Sequence, residues 1–382
     1  MNVLMFSWEY PPHIFGGLGT ASYGLISGMS VQKDLNITLV IPKLYGDENQ
    51  GIAKIIGACN VPVGANGTGC IEFSGCYPDN LFEEVKNYET VAGVLARRLD
   101  FDIIHSNDWL TYPAGILVKR TSGKPFVIHV HATEYDRSGG DVNPKVYGIE
   151  KRGMDEADRI ICVSNLTRRI VIERYSQNPD KVVTIHHAVA QIPNVESYKK
   201  TLRKDKIITF LGRITMQKGP ENFVEVATRI LSRTRNVRFV MAGGGDMMNS
   251  MIDRVAQCGI ADRFHFAGFL RGAEYYQMLA DSDVYIMPSV SEPFGITPLE
   301  AMQIGTPSII SKQSGCAEIL NHVIKTDYWD IDAMIDAIYS IIEHPALYKT
   351  LSENGRSEVQ NITWENVGYK VRGIYNKLRV DS

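Results

Sequence analysis

At 382 residues the chain exceeds the roughly 250–300 over which a single hydrophobic core usually grows, so two domains are expected. Hydrophobic residues at 44% and charged residues at 22% exclude a disordered chain, and a formal charge of −3 gives no global attraction to nucleic acid. No apolar run approaches the roughly 20 residues of a membrane span, residues 1–10 lack a basic leader, and the six cysteines form no Cys-x-x-Cys pair, so a cytoplasmic chain with reduced thiols is expected, with peripheral membrane contact left open.

In chain order, short apolar runs alternate with helical patterns: Val3–Phe6, Ile37–Ile41, Ile103–His105, Phe126–His131, Ile160–Val163 and Val182–Ile185, then Ile207–Leu211, Arg238–Ala242, Arg263–Phe266, Val284–Pro288 and Pro307–Ser311. This pattern predicts two consecutive α/β units, each with a doubly wound parallel sheet. The polar stretch Ala188–Lys206, rich in lysine and arginine, reads as a solvated connection. The expected division is an N-terminal domain at 1–189, a linker at 190–206, a C-terminal domain at 207–362 and a terminal helix at 363–382. Residues 45–80 are glycine-rich, with weak periodicity.

Polar groups gather where ligands bind in open α/β sheets, at the carboxyl ends of strands. After the first strand, Gly16-Gly17-Leu18-Gly19 opens a helical run, a turn that lets backbone amides approach an anion. His105-Ser-Asn-Asp108-Trp109 and His129-Val-His131-Ala-Thr-Glu134 finish two further strands. In the second half, Gly212-Arg213 and Lys218-Gly219 follow a strand and offer two cations, each worth about 1.5–3 kcal/mol against a phosphate. Met241-Ala-Gly243-Gly244-Gly245 and Gly268-Phe269-Leu270 also follow strands, although either reads equally as a plain turn. In Ser291-Glu292-Pro-Phe294-Gly295-Ile296-Thr297-Pro298-Leu-Glu300, Glu292 falls in a loop and Glu300 in a first helical turn. Taken alone, Glu300 reads as half of a capping box on Thr297, with Pro298 at the first helical position.

The Glu-Pro-Phe-Gly motif, with a second glutamate eight residues after the first, resembles the signature of retaining nucleotide-sugar glycosyltransferases of family four (glycosyl transferases group 1), and the N-terminal motif resembles that of glycogen and starch synthases. The resemblance implies a GT-B fold: two Rossmann-like domains facing a central cleft, with the last helix crossing back to the first domain. It implies Gly16, Gly17, Arg213 and Lys218 at the donor diphosphate and Glu300 on the ribose. Amides of Phe294, Gly295 and Ile296 would meet donor sugar or phosphate, and Gly243, Gly244, Phe269 and Leu270 would lie near the base. His131, Glu292 and Asp108 are the implied catalytic residues around the sugar. Glu9 and Tyr135 fall on the acceptor side, with Tyr135–Gly140 as an acceptor loop. The chain departs from the pattern at Ile14-Phe15, where bacterial glycogen synthases carry a lysine, at Cys316, often a second glycine, and at Thr184–Val189, in place of a Pro-Asn-Gly hinge.

The implied activity is retaining transfer of a hexose, glucose in the first instance, from an ADP-, UDP- or GDP-linked sugar to a saccharide or other hydroxyl acceptor, as in α-glucan synthesis. No cofactor is implied. A GT-B sugar-nucleotide epimerase, a phosphorylase and a noncatalytic sugar-nucleotide-binding protein remain the alternatives. No metal is expected: Asp100-Phe-Asp102 and Asp281-Ser-Asp283 precede their strands, and Asp330-Ile-Asp332 reads as a helix start.

Overall fold

The computed structural model describes residues 1–64 and 68–380. They form two compact units, Met1–Ala188 with Thr363–Ser382, and Val189–Ile362.

The sheet of the first unit contains β1 (Asn2–Phe6), β2 (Asn36–Ile41), β3 (Lys54–Gly57), β4 (Ile103–Asn107), β5 (Phe126–Val130), β6 (Arg159–Cys162) and β7 (Val182–Thr184). Its order is β3-β2-β1-β4-β5-β6-β7, parallel throughout. Helices cover both faces of such a sheet, which is why β4 and β5 are buried along their whole length. The strand order reverses between β1 and β4, and a crevice opens at the carboxyl ends of two strands that diverge in this way.

Helix Trp364–Val380 belongs to this unit and packs on helix Gly17–Ser30. Gly24 and Gly28 make the seat: a Cβ at Gly24 would lie 2.2 Å from the Trp364 ring, and one at Gly28 would lie 2.0 Å from the Trp364 carbonyl oxygen.

The second unit repeats the plan with β8 (Lys206–Leu211), β9 (Val237–Ala242), β10 (Phe264–Gly268), β11 (Val284–Met287), β12 (Ser308–Ser311) and β13 (Ile324–Thr326). The order is β10-β9-β8-β11-β12-β13, again parallel, with its reversal between β8 and β11. Helix Pro220–Leu231 buries Phe223, Val224, Val226, Ala227, Ile230 and Leu231, the stripe its 3.6-residue period dictates.

Two strands escaped the sequence pattern, β3 and β13, each of three or four residues. The strand expected at Arg263–Phe266 lies at Phe264–Gly268. A further finding concerns the basic stretch before β8. Its residues are mostly exposed, as expected of a solvated connection, but it is also a strap tied to the second unit: the Thr201 amide donates to Asp281 (2.8 Å), Lys200 and Lys206 pair with Asp283 (2.7 and 3.0 Å), and Arg203 pairs with Asp281 (3.3 Å). Asp281 and Asp283 are buried, so these partners offset the cost of removing the carboxylates from water. The other two Asp-x-Asp pairs are also structural at one member each. Asp102 accepts the Asn2 amide, and Asp330 caps helix Ile331–Glu343.

Candidate active site

At the β1–β4 reversal, the first loop is organised by Glu9. Its carboxylate is buried beneath the turn and accepts the Phe15 amide (2.9 Å) and the Tyr77 hydroxyl. Burial raises its pKa, against the lowering effect of those donors. Both oxygens are therefore engaged in holding the loop. Gly19 is required there, because a Cβ would lie 2.9 Å from the Glu9 carboxylate and 2.3 Å from Ile14. Gly16 and Gly17 are different: a Cβ on either would meet nothing within 4 Å, and helix Gly17–Ser30 begins with no side-chain cap. Packing therefore does not explain glycine at these two positions, and the Gly16 backbone amide joins those of Phe15 and Gly19 in lowering the Glu9 pKa.

Beside it, β4 is followed by Asp108, held at φ 63°, a rare conformation for a residue with a Cβ, and its carboxylate caps the Trp109 amide (2.8 Å). Next comes His131, one residue past the end of β5. Its Nε2 lies 3.1 Å from Asn107 Oδ1, and Asn107 Nδ2 donates to the Phe6 carbonyl (3.1 Å). With the amide oriented by Phe6, Asn107 Oδ1 must accept, so His131 donates from Nε2 and carries its lone pair on Nδ1. Burial, followed by the neighbouring His187 and His105, holds the His131 pKa well below the usual range, so the ring is neutral at pH 7.

Residues 135–138 of the expected acceptor loop are helical, and exposed Gly139 and Gly140 form the turn that follows. Glu134–Ser138 is a helical turn closed by a capping box between Thr133 and Asp136. Arg137 anchors it to Glu134 (3.2 Å) and to the buried Glu150, with Asp108 at 3.9 Å. Tyr135 packs edge-on against Tyr147 and Tyr175.

In the second unit, β8 leads through Gly212 to Arg213, which is exposed and has no carboxylate partner among the described residues. Lys218 pairs with Glu292, whose carboxylate is buried. Gly219 sits at φ 68°, and a Cβ there would lie 2.1 Å from the Pro288 carbonyl, so the loop after β8 is docked onto the end of β11. Glu292 is pinned at its backbone: its amide donates to Gln313 O and its carbonyl accepts the Gly315 amide, each at 2.9 Å. The Cys316 amide donates to Phe294 O (2.7 Å), and Cys316 Sγ would lie 3.2 Å from a Cβ on Gly295, whose φ is 94°. The Cys316 thiol, pushed up to about 12 by burial, is a packing group.

Helix Thr297–Ile304 corrects the capping expectation. Its cap is Ile296, no side chain caps it, and Thr297 is already helical. The Glu300 carboxylate instead accepts the Tyr275 hydroxyl (2.5 Å) and is raised in pKa by burial. Amides of Gly295 and Ile296 have no acceptor among the described residues. Gly243 is explained by packing, since a Cβ would lie 1.8 Å from Gly212 O, whereas Gly244 faces open space. Phe269 is 58% exposed with Arg271 stacked on it, and Leu270 follows.

The structure thus brings Gly16, Gly17, Asp108 and His131 to the reversal point of one sheet, and Arg213, Lys218, Glu292, Gly295, Ile296 and Glu300 to that of the other. The sequence reading missed Asn107, Tyr275 and Arg137, which orient His131, Glu300 and the 134–138 turn. Asn107 and Arg137 stood inside recognised segments; nothing local distinguished Tyr275.

Two parallel sheets with uncapped amides and charged groups at their reversal points are the architecture of a GT-B glycosyltransferase. The model for glycosyl transferases group 1 matches residues 195–358, and that for glycosyltransferase family 4 matches residues 77–190. An uncharacterised glycosyltransferase of Methanocaldococcus jannaschii is 28% identical, with 98% of each chain covered. A glycogen synthase of Mycobacterium tuberculosis is 23% identical over 98% of this chain and 94% of its own length. The solved structure of Anabaena HepE in complex with UDP and glucose superposes with a TM-score of 0.72 at 16% identity, covering 99% of this chain and all of the other. The chain belongs to the family 4, group 1 glycosyltransferases of GT-B type.

Proposed function

We propose that the protein transfers a hexosyl group, glucose in the first instance, from a nucleoside diphosphate sugar to a saccharide hydroxyl with retention of anomeric configuration. The observation that carries this reading is the β11–helix junction, where Glu292, the unbonded amides of Gly295 and Ile296, and Glu300 stand within nine residues of chain and Lys218, from the loop after β8, pairs with Glu292. That set matches the parts of a donor: cations and amides for the diphosphate, carboxylates for hydroxyl groups. A UDP and glucose complex among the structural neighbours and a glycogen synthase among the relatives support the choice of donor class and sugar.

In this reading Arg213, Lys218 and the Gly16–Gly17 amides neutralise the diphosphate, and Glu300 accepts from the ribose diol through the oxygen that Tyr275 leaves open. Amides at 294–296 meet sugar or phosphate oxygens. Gly244, Phe269 and Leu270 lie toward the base. Before donor binds, Glu292 keeps Lys218 from being a half-buried unpaired charge. With donor bound, the lysine turns to phosphate and frees Glu292 for the sugar hydroxyls. His131, neutral, hydrogen-bonds the sugar as charge develops on the leaving oxygen. The departing phosphate then takes the acceptor proton, and Asp108 lies beside the sugar. The glycosidic C–O bond to the diphosphate breaks as the bond to the acceptor oxygen forms on the same face. Fixed cations and amides stabilise the leaving charge, so no divalent ion is required.

A panel of ADP-, UDP- and GDP-sugars, assayed for nucleoside diphosphate release with and without maltooligosaccharides, tests the reading, with product configuration read by proton NMR. Acceptor-dependent release and an α-linked product are expected from an α-linked donor. Release without acceptor or phosphate-dependent cleavage would replace it with epimerase or phosphorylase chemistry, and binding without release with a noncatalytic role.

A further inference from the structure

Four histidines fill the carboxyl-end region of the first sheet: His105 on β4, His129 on β5, His131 just beyond β5, and His187 after β7, each 8% exposed or less. The His129 and His131 rings stack at 4.6 Å, and His187 approaches them at 5.8 and 5.1 Å. Packing three imidazoles in a dry interior is costly unless their nitrogens have partners. Neither ring nitrogen of His129 has one, and neither does His131 Nδ1.

One nitrogen from each of His129, His131 and His187 lies within 4.8 Å of the others. Around a tetrahedral zinc ion with Zn–N near 2.0–2.1 Å, ligand nitrogens stand about 3.4 Å apart, a spacing that small ring rotations bring within reach. The acceptor state of the rings is also right. Asn107 fixes the proton of His131 on Nε2, leaving the Nδ1 lone pair for a metal, which is the outer-shell arrangement that orients a ligating histidine.

We propose that His129, His131 and His187 form a binding site for one late first-row divalent ion, zinc above all, and that its occupation withdraws His131 from glycosyl transfer. The inhibitory half rests on the role given to His131 under the proposed function; the binding half does not. Imidazole nitrogen without carboxylate or thiolate favours zinc, copper or nickel over magnesium, calcium or manganese. The site's fourth position would take water.

The test uses the full chain, stripped with chelator, and Zn²⁺ or Co²⁺ as probe. One Co²⁺ per chain with the visible bands of a low-coordinate nitrogen site is expected, displaced by Zn²⁺. His129→Asn and His187→Asn should each weaken Zn²⁺ binding at least tenfold while retaining the far-ultraviolet circular dichroism of the wild type. The more exposed grouping His13, Asp47 and Glu48 is the control, and His13→Ala should leave the stoichiometry unchanged. Stoichiometric Zn²⁺ should suppress transfer in the wild type, reversibly with chelator, and not in His129→Asn relative to its own metal-free rate. Wild-type affinity in both folded variants, or loss of binding in His13→Ala alone, would overturn the site. Binding intact in every respect but without inhibition would overturn the role of His131 and leave the site standing.

Discussion

Lys218→Met separates the two jobs assigned to that lysine. In the structure its ammonium is the only cation paired with the Glu292 carboxylate among the described residues, and Glu292 is 6% exposed. Breaking a fully buried pair by removing one partner costs about 3–5 kcal/mol. Lys218 retains 21% side-chain exposure, so water reaches the site and a cost of about 1–3 kcal/mol is expected. Adding Glu292→Gln removes the orphaned charge, and the double variant should recover most of that loss in urea denaturation followed by a probe in the second unit. Transfer should behave differently. A lost charge-assisted phosphate contact of about 1.5–3 kcal/mol acting in the transition state lowers kcat/KM by roughly 10–150-fold, and the second substitution cannot restore it. Stability rescued without rescue of rate is the expected pattern. Two results would refute the reasoning: additive stability losses, which would mean that the pair is not coupled, or wild-type kcat/KM in folded Lys218→Met, which would remove the lysine from the diphosphate.

Glu300→Ala should weaken calorimetric binding of a nucleoside diphosphate at least tenfold while Glu292→Ala leaves it within a few-fold and lowers turnover; equal affinity in Glu300→Ala would end the ribose assignment. His131→Ala should nearly abolish transfer yet keep the fold, as checked by circular dichroism, because the ring lies at a strand end and leaves the strand itself intact. Arg213→Ala should lower kcat/KM by roughly 10–150-fold, with wild-type turnover surviving exhaustive chelation; activity lost to chelator and restored by manganese or magnesium would reverse the metal-independent reading. Acid should destabilise the first unit selectively: burial depresses His105 and His187 to about 3, so the unfolded chain binds more protons below pH 6.5. Stability present above pH 6.5 should fall on acidification toward pH 3, at up to about 1.4 kcal/mol per histidine per pH unit, and a flat urea midpoint between pH 7 and 5 would contradict it.

Much of this molecule was determined by its local sequence. Runs such as Val3–Phe6 and Val284–Met287, apolar at every position, have no stable place except a strand buried on both faces, and the parallel two-unit plan follows from their alternation with helical segments. The glycines and charges after those runs had to fall at carboxyl ends, because a strand's direction is set by the chain. Short strands escaped, since three or four residues carry no period, and β3 and β13 exist only through their neighbours in the sheet. Tertiary structure alone decided which polar groups meet. Glu300 could cap its own helix in one turn of chain, yet its carboxylate goes to Tyr275, 25 positions away. The basic run at 199–206 became a strap because buried Asp281 and Asp283 need cations more than water needs lysines. His129 and His187 are unremarkable at 58 positions' separation, and become a cluster only when β5, β6 and β7 lie side by side. Local propensity acts over a few residues, whereas pairing of buried charge and imidazole is settled by distances that exist only after the sheets have formed.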